Sequence, residues 1–144
     1  LDPISLRPDL PDWGVYLRWP AEGVDWIHPE DLDVAQALIP GPRVLKRVRW
    51  DGDYYYLQYG PQRLRVRPSL WLRVPDLDLE VGQQVEVLSC DLRNDPGIFR
   101  IAEIMYSTAT LAIEYHLLST SMELTKKFAR EDLRPVNQRT YELL

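Results

Sequence analysis

One cysteine, Cys90, and two histidines, His28 and His116, are all the sequence offers of the residues that build disulfides and zinc sites. A lone thiol closes no internal disulfide and assembles no cysteine-based zinc site, which fits a reducing compartment and reads as a small buried hydrophobe at a strand end. Neither histidine has a second histidine, a cysteine or a paired acid at ligand spacing, so no metal and no cofactor is expected. Glycine-rich phosphate loops, nucleophile elbows and paired-cysteine motifs are all missing, which weighs against an enzyme. No apolar run approaches the roughly 20 residues that cross a bilayer. The opening Leu1-Asp2-Pro3 has neither the basic nor the apolar region of a secretion signal. The expectation is a cytoplasmic protein without membrane attachment.

What is present favours strands. Hydrophobic residues make up 45% and charged residues 27% of the 144, enough for a packed core and far from the composition of disorder. Five Trp and eight Tyr suit pleated surfaces and keep a polar edge that can be left outside. The net charge of −5 is unevenly spread. Residues 1–42 hold eight acids against Arg7 and Arg18, whereas residues 43–73 hold eight bases against Asp51 and Asp53, and residues 74–144 are acidic again. A basic band thus lies between two acidic stretches.

Pro3, Pro8 and Pro11 make residues 1–12 an extended arm. Residues 13–19 predict a first strand, stopped by Pro20 and the turn residues around Gly23. His28-Pro29-Glu30-Asp31-Leu32 looks like the start of a short helix running to Ile39, with proline preset for the first turn and two acids facing the positive end of the dipole. Pro40-Gly41-Pro42 ends it. Residues 44–50 and 53–59, joined by Asp51-Gly52, predict a hairpin with a two-residue type I′ turn. After Gly60-Pro61, residues 63–74 read as one kinked or edge strand broken at Pro68. Its alternation puts Leu64, Val66, Leu70, Leu72 and Val74 on one face and Arg63, Arg65, Arg67, Trp71 and Arg73 on the other.

Residues 75–80 alternate Asp and Leu and make a linker. Strands follow at 81–88, 98–106 and 111–118, with a turn at Asn94-Asp95-Pro96-Gly97. Residues 119–134 fit either a helix or a returning strand, and the strand is preferred. The halves echo each other: Leu57-Gln58-Tyr59 leads to Arg65-Val66-Arg67-Pro68 as Ile113-Glu114-Tyr115 leads to Asp132-Leu133-Arg134-Pro135. The fold expected is mainly β: two tandem small barrels, over 1–75 and 81–144, with a short helix in the first.

Residues 81–136 resemble the Tudor, Agenet and SH3-like group of small barrels. The likeness rests on Val81-Gly82-Gln83-Gln84-Val85-Glu86-Val87 as opening strand, on 99–106 and 111–115 as central pair, and on Phe128 with Asp132-Leu133-Arg134-Pro135 as closing turn. Trp13-Gly14-Val15-Tyr16, His28-Pro29-Glu30-Asp31-Leu32, Tyr59-Gly60 and Arg65-Val66-Arg67-Pro68 resemble uncharacterised bacterial proteins, a likeness that implies a fold and no activity. Tudor-type domains hold methylated Lys or Arg in an aromatic cage. The resemblance places Tyr106 and Tyr115 where cage aromatics would stand, and the rest of the cage has no counterpart.

The candidate binding surface is therefore the arginine face, Arg63, Arg65, Arg67, Trp71 and Arg73, joined by Tyr54 and Tyr56 from the neighbouring hairpin. Guanidinium forks beside aromatic rings suit carboxylate or phosphate recognition with stacking. Arg47 and Arg49 are expected together on the hairpin's other side. His28, beside Asp25, Glu30 and Asp31, reads as a cap or an ion-pair partner rather than a base. The leading expectation is a noncatalytic binding or adaptor module that recognises a protein or peptide. Two alternatives share its surface or its charge: nucleic-acid binding through the same basic face, which overall acidity disfavours, and neutralisation of a toxin by charge complementarity.

Overall fold

Two runs of period-two residues, each ended by turn formers, give two antiparallel sheets in a computed structural model that describes residues 10–21, 23–90, 92, 94–119 and 123–136. The chain divides into two compact units, Leu1–Asp78 and Leu79–Leu144.

In the first unit, β1 (Asp12–Val15), β2 (Leu45–Trp50), β3 (Tyr55–Tyr59), β4 (Gln62–Val66) and β5 (Leu72–Val74) pair in the order β4-β3-β2-β1-β5. Leu57 and Leu64 pair across β3 and β4 on the buried face, which Leu45 of β2 shares; each is at most 1% exposed and stabilises the unit by about 1.5–3 kcal/mol. Between β1 and β2 a 3-10 turn, Pro29–Asp31, runs into α1 (Leu32–Leu38). Pro29 opens the turn, and His28 Nδ1 accepts the Glu30 N–H at 3.1 Å, so this histidine is a cap, as its position indicated. Ala35 and Leu38 are the helix's buried side. The segment entering the turn lies along β4: Ile27 bridges Val66, the His28 N–H donates to Arg65 O at 3.0 Å and the Arg67 N–H to Trp26 O at 2.6 Å.

The second unit has β6 (Gln84–Val87), β7 (Gly97–Ser107), β8 (Ala112–Leu118) and β9 (Glu123–Phe128), then a 3-10 turn (Arg130–Asp132) and β10 (Leu133–Pro135). Its order is β10-β6-β7-β8-β9, and Val85, Val87, Ile101, Ile104, Tyr115, Leu117 and Leu133 fill its core. Buried Asp132 earns its place through hydrogen bonds: its carboxylate accepts the Ala129 N–H at 3.0 Å and Asn94 Nδ2 at 3.1 Å, while Asn94 Nδ2 also donates to Leu88 O.

Several expectations change. The sheets are open rather than closed barrels: among the described residues no ladder joins β4 to β5 or β10 to β9. Closure would require the outer strands to pair, but β5 has only three residues and the edge of β4 already meets the 26–28 segment. The first strand covers Asp12–Val15 instead of 13–19, because Tyr16 turns away and its carbonyl accepts the Gly41 N–H at 3.0 Å. Asp12 therefore belongs to the sheet and not to the arm, the rest of which lies outside the described residues except 10 and 11. The hairpin closes around Gly52-Asp53, one residue later than the expected Asp51-Gly52: the Asp51 N–H donates to Tyr54 O at 3.1 Å, and Asp51 Oδ1 accepts the N–H groups of Asp53 and Tyr54 at 2.8 and 2.7 Å.

The run 63–74 is two strands, not one. Breaking at Pro68 sends β4 and β5 to opposite ends of the sheet order, and Leu70 and Leu72 are 58% and 44% exposed instead of lying in the core. Residues 119–134 contain a returning strand, β9, as preferred, although 120–122 lie outside the described residues. The echo between halves takes a different form. Within each unit the last strand returns beside the first, so Leu133-Arg134-Pro135 corresponds to Leu72-Arg73-Val74 rather than to Arg65-Val66-Arg67. No helix among the described residues is long and apolar enough to cross a membrane.

Candidate functional site

Cross-strand pairing decides which of the basic residues meet. Tyr56 stands opposite Arg65 and Gln58 opposite Arg63, so all four leave the sheet on the side turned away from Leu57 and Leu64. β2 contributes through a bulge. Arg47 pairs with Leu57 and Arg49 with Tyr56, so Val48 is the extra residue and the two arginines, two apart in sequence, emerge on opposite faces. The expected grouping of Arg47 with Arg49 is thereby overturned. Arg49, Tyr56 and Arg65 form one row across the sheet, and Lys46, Gln58 and Arg63 a second. Beyond the strand ends Arg67 lies over Tyr54, its guanidinium carbon 5.4 Å from the ring centre, and makes a third row.

The arginines on this face differ in engagement. Arg65 is clamped: Nε donates to Asp31 Oδ2 at 2.8 Å, Nη2 to Asp31 Oδ1 at 3.2 Å and to Glu30 Oε2 at 3.0 Å, and its backbone N–H also reaches Asp31 Oδ2. Burial pushes the Asp31 carboxyl up, but the side-chain and backbone bonds from Arg65 outweigh it and hold the pKa below the usual carboxylate value. Arg65 thus ties the 3-10 turn to β4. Arg49 instead stacks on Tyr56 at 3.9 Å, and Arg63 Nη1 donates to Gln58 Oε1 at 3.0 Å. Among the described residues no carboxylate forms an ion pair with Arg49, Arg63 or Arg67, and all three are exposed. Tyr56 is oriented from below by its hydroxyl, which donates to Asp51 Oδ2 at 2.9 Å. That bond raises the phenol pKa, and the N–H groups of Tyr54 and Asp53 lower that of Asp51.

Two shallow depressions mark the face. One, of about 390 Å³, is lined by Asp31, Val48, Arg49, Tyr56, Arg63 and Arg65 among others. The second, of about 450 Å³, lies at Tyr54 and Arg67 and is walled by Val24, Ile27, Pro29 and Leu32 with Asp25. His28 sits tilted against Tyr54, with ring centres 5.1 Å apart.

Trp71 and Arg73 do not join this surface. Trp71 Nε1 donates to Asp12 Oδ2 at 3.2 Å, and Arg47 donates Nε and Nη2 to the two Asp12 oxygens at 2.9 and 2.7 Å. The Arg47 guanidinium lies between the rings of Tyr55 and Trp71, at 4.2 and 4.6 Å, so one buried cation is satisfied by a carboxylate and two π faces. Tyr16 packs edge-on to Trp71 and Trp26, and burial pushes its phenol well above its ordinary value. Arg73 is on β5, at the far end of the sheet order, 3.6 Å from Asp76.

In the second unit Tyr115 is 1% exposed and part of the core, so it is no wall of an open cage. Lys126 Nζ donates to Asn94 Oδ1, and Lys127 pairs with Glu114 at 3.5 Å, beside a depression of about 410 Å³ that also touches Phe128 and Asp132. The first contact ties Asn94 to β9, and the second ties β9 to β8.

Five of the seven residues singled out in the sequence thus share one surface. Spacing alone could not supply Arg49 and Lys46, because the bulge at Val48 resets their parity. A family model described as a family of unknown function, DUF6960, matches residues 6–134. No curated protein and no solved structure matches the chain.

Proposed function

The chain belongs to the DUF6960 family of unknown function, and from that premise we propose that it is a noncatalytic binding module whose first unit recognises an acidic segment of a partner protein or peptide. The observation that carries this is the exposed group of Arg63, Arg67 and Tyr-stacked Arg49 on one sheet face, none of them in an ion pair with a carboxylate of the described residues. A guanidinium held flat on an aromatic ring is oriented before a ligand arrives, so less side-chain entropy is lost when a carboxylate bonds to its free edge. Clamped Arg65 supports the surface, and the remaining arginines meet the ligand.

The return of each unit's last strand beside its first, with a 3-10 turn preceding it in the second unit, supports reading the units as small SH3-like or Tudor-like domains. A fold of that kind positions a surface without specifying its ligand. The lone Cys90 supports a cytoplasmic setting.

Titration of a Glu-rich peptide into the full chain tests the proposal. The double variant Arg63→Glu/Arg67→Glu is expected to bind at least about tenfold more weakly, roughly 1.4 kcal/mol. Equal affinity of both proteins, or no binding by the unaltered chain, would reject the face. An oligonucleotide of matched charge separates the other ligand class: tighter binding to it than to the peptide, falling steeply with salt, would favour nucleic acid instead.

A further inference from the structure

Resting on that reading, we infer that the peptide carries an apolar residue two positions from its acidic one, the acid against Arg49 and Arg63 and the apolar side chain in the depression beside Tyr54. The two depressions follow one another along the same strands. Tyr56 and Arg65 line the first, whereas Tyr54 and Arg67, each two residues along on the same face, line the second. Two residues of a strand advance roughly 6.8 Å, which is also the step between same-side residues of an extended peptide. An extended ligand lying along β3 and β4 therefore presents alternate side chains to the two depressions in turn.

Their linings differ in chemistry. The first holds the Arg65–Asp31 pair, whose charges offset each other, and beside it Arg49 and Arg63, which have no carboxylate ion-pair partner among the described residues and suit a carboxylate. The second is walled by Val24, Ile27, Pro29 and Leu32, and Asp25 on its wall opposes the entry of a second acid. Val24 is 47% exposed, and this surface can be desolvated by an aliphatic or aromatic side chain. The depression is also firmly built. Ile27 bridges Val66, the backbones of Trp26 and His28 bond to Arg67 and Arg65, and the His28 ring supports Tyr54. A wall so anchored need not order itself on binding. Arg67, lying over Tyr54, closes one side with its flat face while its edge stays available to the peptide backbone or a further acid.

Three peptides titrated into the full chain by calorimetry test this: one with Glu-Ala-Leu at its centre, one with Glu-Ala-Ala, and one with Glu-Leu-Ala. The first is expected to bind about tenfold more tightly than the other two, the factor that one or two buried methylenes provide. The exposed, uncharged substitution Val24→Ser should shrink the advantage of the Glu-Ala-Leu peptide over the Glu-Ala-Ala peptide severalfold. Equal affinities of the three peptides for the unaltered chain would overturn the spacing and leave the acidic-segment reading in place. A Val24→Ser variant that keeps the full ratio between the Glu-Ala-Leu and Glu-Ala-Ala peptides would overturn the placement of the apolar residue. If none of the three binds, the acidic-segment reading itself falls and takes this inference with it.

Discussion

At the scale of single residues, the basic side chains of this protein do three kinds of work, and their partners tell them apart. Arg47 is a core residue, enclosed by Asp12, Tyr55 and Trp71. Removing its carboxylate leaves a buried cation unpaired, so Asp12→Ala is expected to destabilise the first unit by about 3–5 kcal/mol, measured by urea unfolding followed through tryptophan fluorescence. The double change Asp12→Leu/Arg47→Met, which removes both charges, should recover much of that loss; a double variant no better than the single would show that the pair does not behave as a unit. Arg65 is a clamp, and its partner sets a pH dependence. Asp31 has a folded pKa below its unfolded value, near 3.9. Its contribution is therefore fully present above that value and is lost as pH falls through the lower, folded one. Unfolding midpoints of the unaltered chain and Asp31→Asn are expected to differ at pH 6 and to converge as pH falls below about 4. A gap that persists at the acid end would contradict the ion-pair assignment. Arginine spacing was legible in the sequence; which arginines were already engaged was not, since Asp12 and Asp31 approach them from 35 and 34 residues away.

Elements show where local pattern and long-range pairing disagree. The short helix ran to the expected residues because its signals are local: proline at the first position, acids in the first turn and a proline-glycine-proline stop. The strand assigned to 63–74 failed because alternation continues through Pro68 in the sequence while the hydrogen-bond ladder does not. Gly14 illustrates what holds the separated piece. A β-carbon there would lie 2.4 Å from the Trp71 ring and 2.7 Å from Leu72 O, so this glycine allows Trp71 to cross β1 closely and reach Asp12. Gly14→Ala is expected to cost about 1–3 kcal/mol through overpacking and to shift the emission of Trp71. Unchanged stability and emission would mean that β5 adjusts freely. The bulge at Val48 is likewise a pairing feature with no signature among its neighbours, and it alone turns Arg49 outward.

For the whole molecule, the two units each complete a core of their own, Leu45, Leu57 and Leu64 in one and Ile101, Tyr115 and Leu117 in the other. Leu117→Ala is accordingly expected to destabilise the second unit by about 2–5 kcal/mol, seen as faster amide exchange in β7 and β8. Protection of β3, and affinity for an acidic peptide, should stay as they were; loss of either would show that the binding face depends on the second core. The charge segregation along the chain belongs to this scale too. The basic band of 43–73 is divided between a buried pair, a clamp and an open face, so only part of it is exposed to solvent without an ion pair.

Strand content and the helix followed from the order of residues alone, because each depends on side chains a few positions apart. The open form of the sheets, the burial of Arg47 and Trp71, and the gathering of Arg49, Tyr56, Arg63 and Arg67 on one surface depend on register between distant strands. Register reverses the direction of every side chain with a shift of one residue, and a single bulge or a broken strand is enough to make that shift, so only the assembled sheet decided which side of it each arginine occupies.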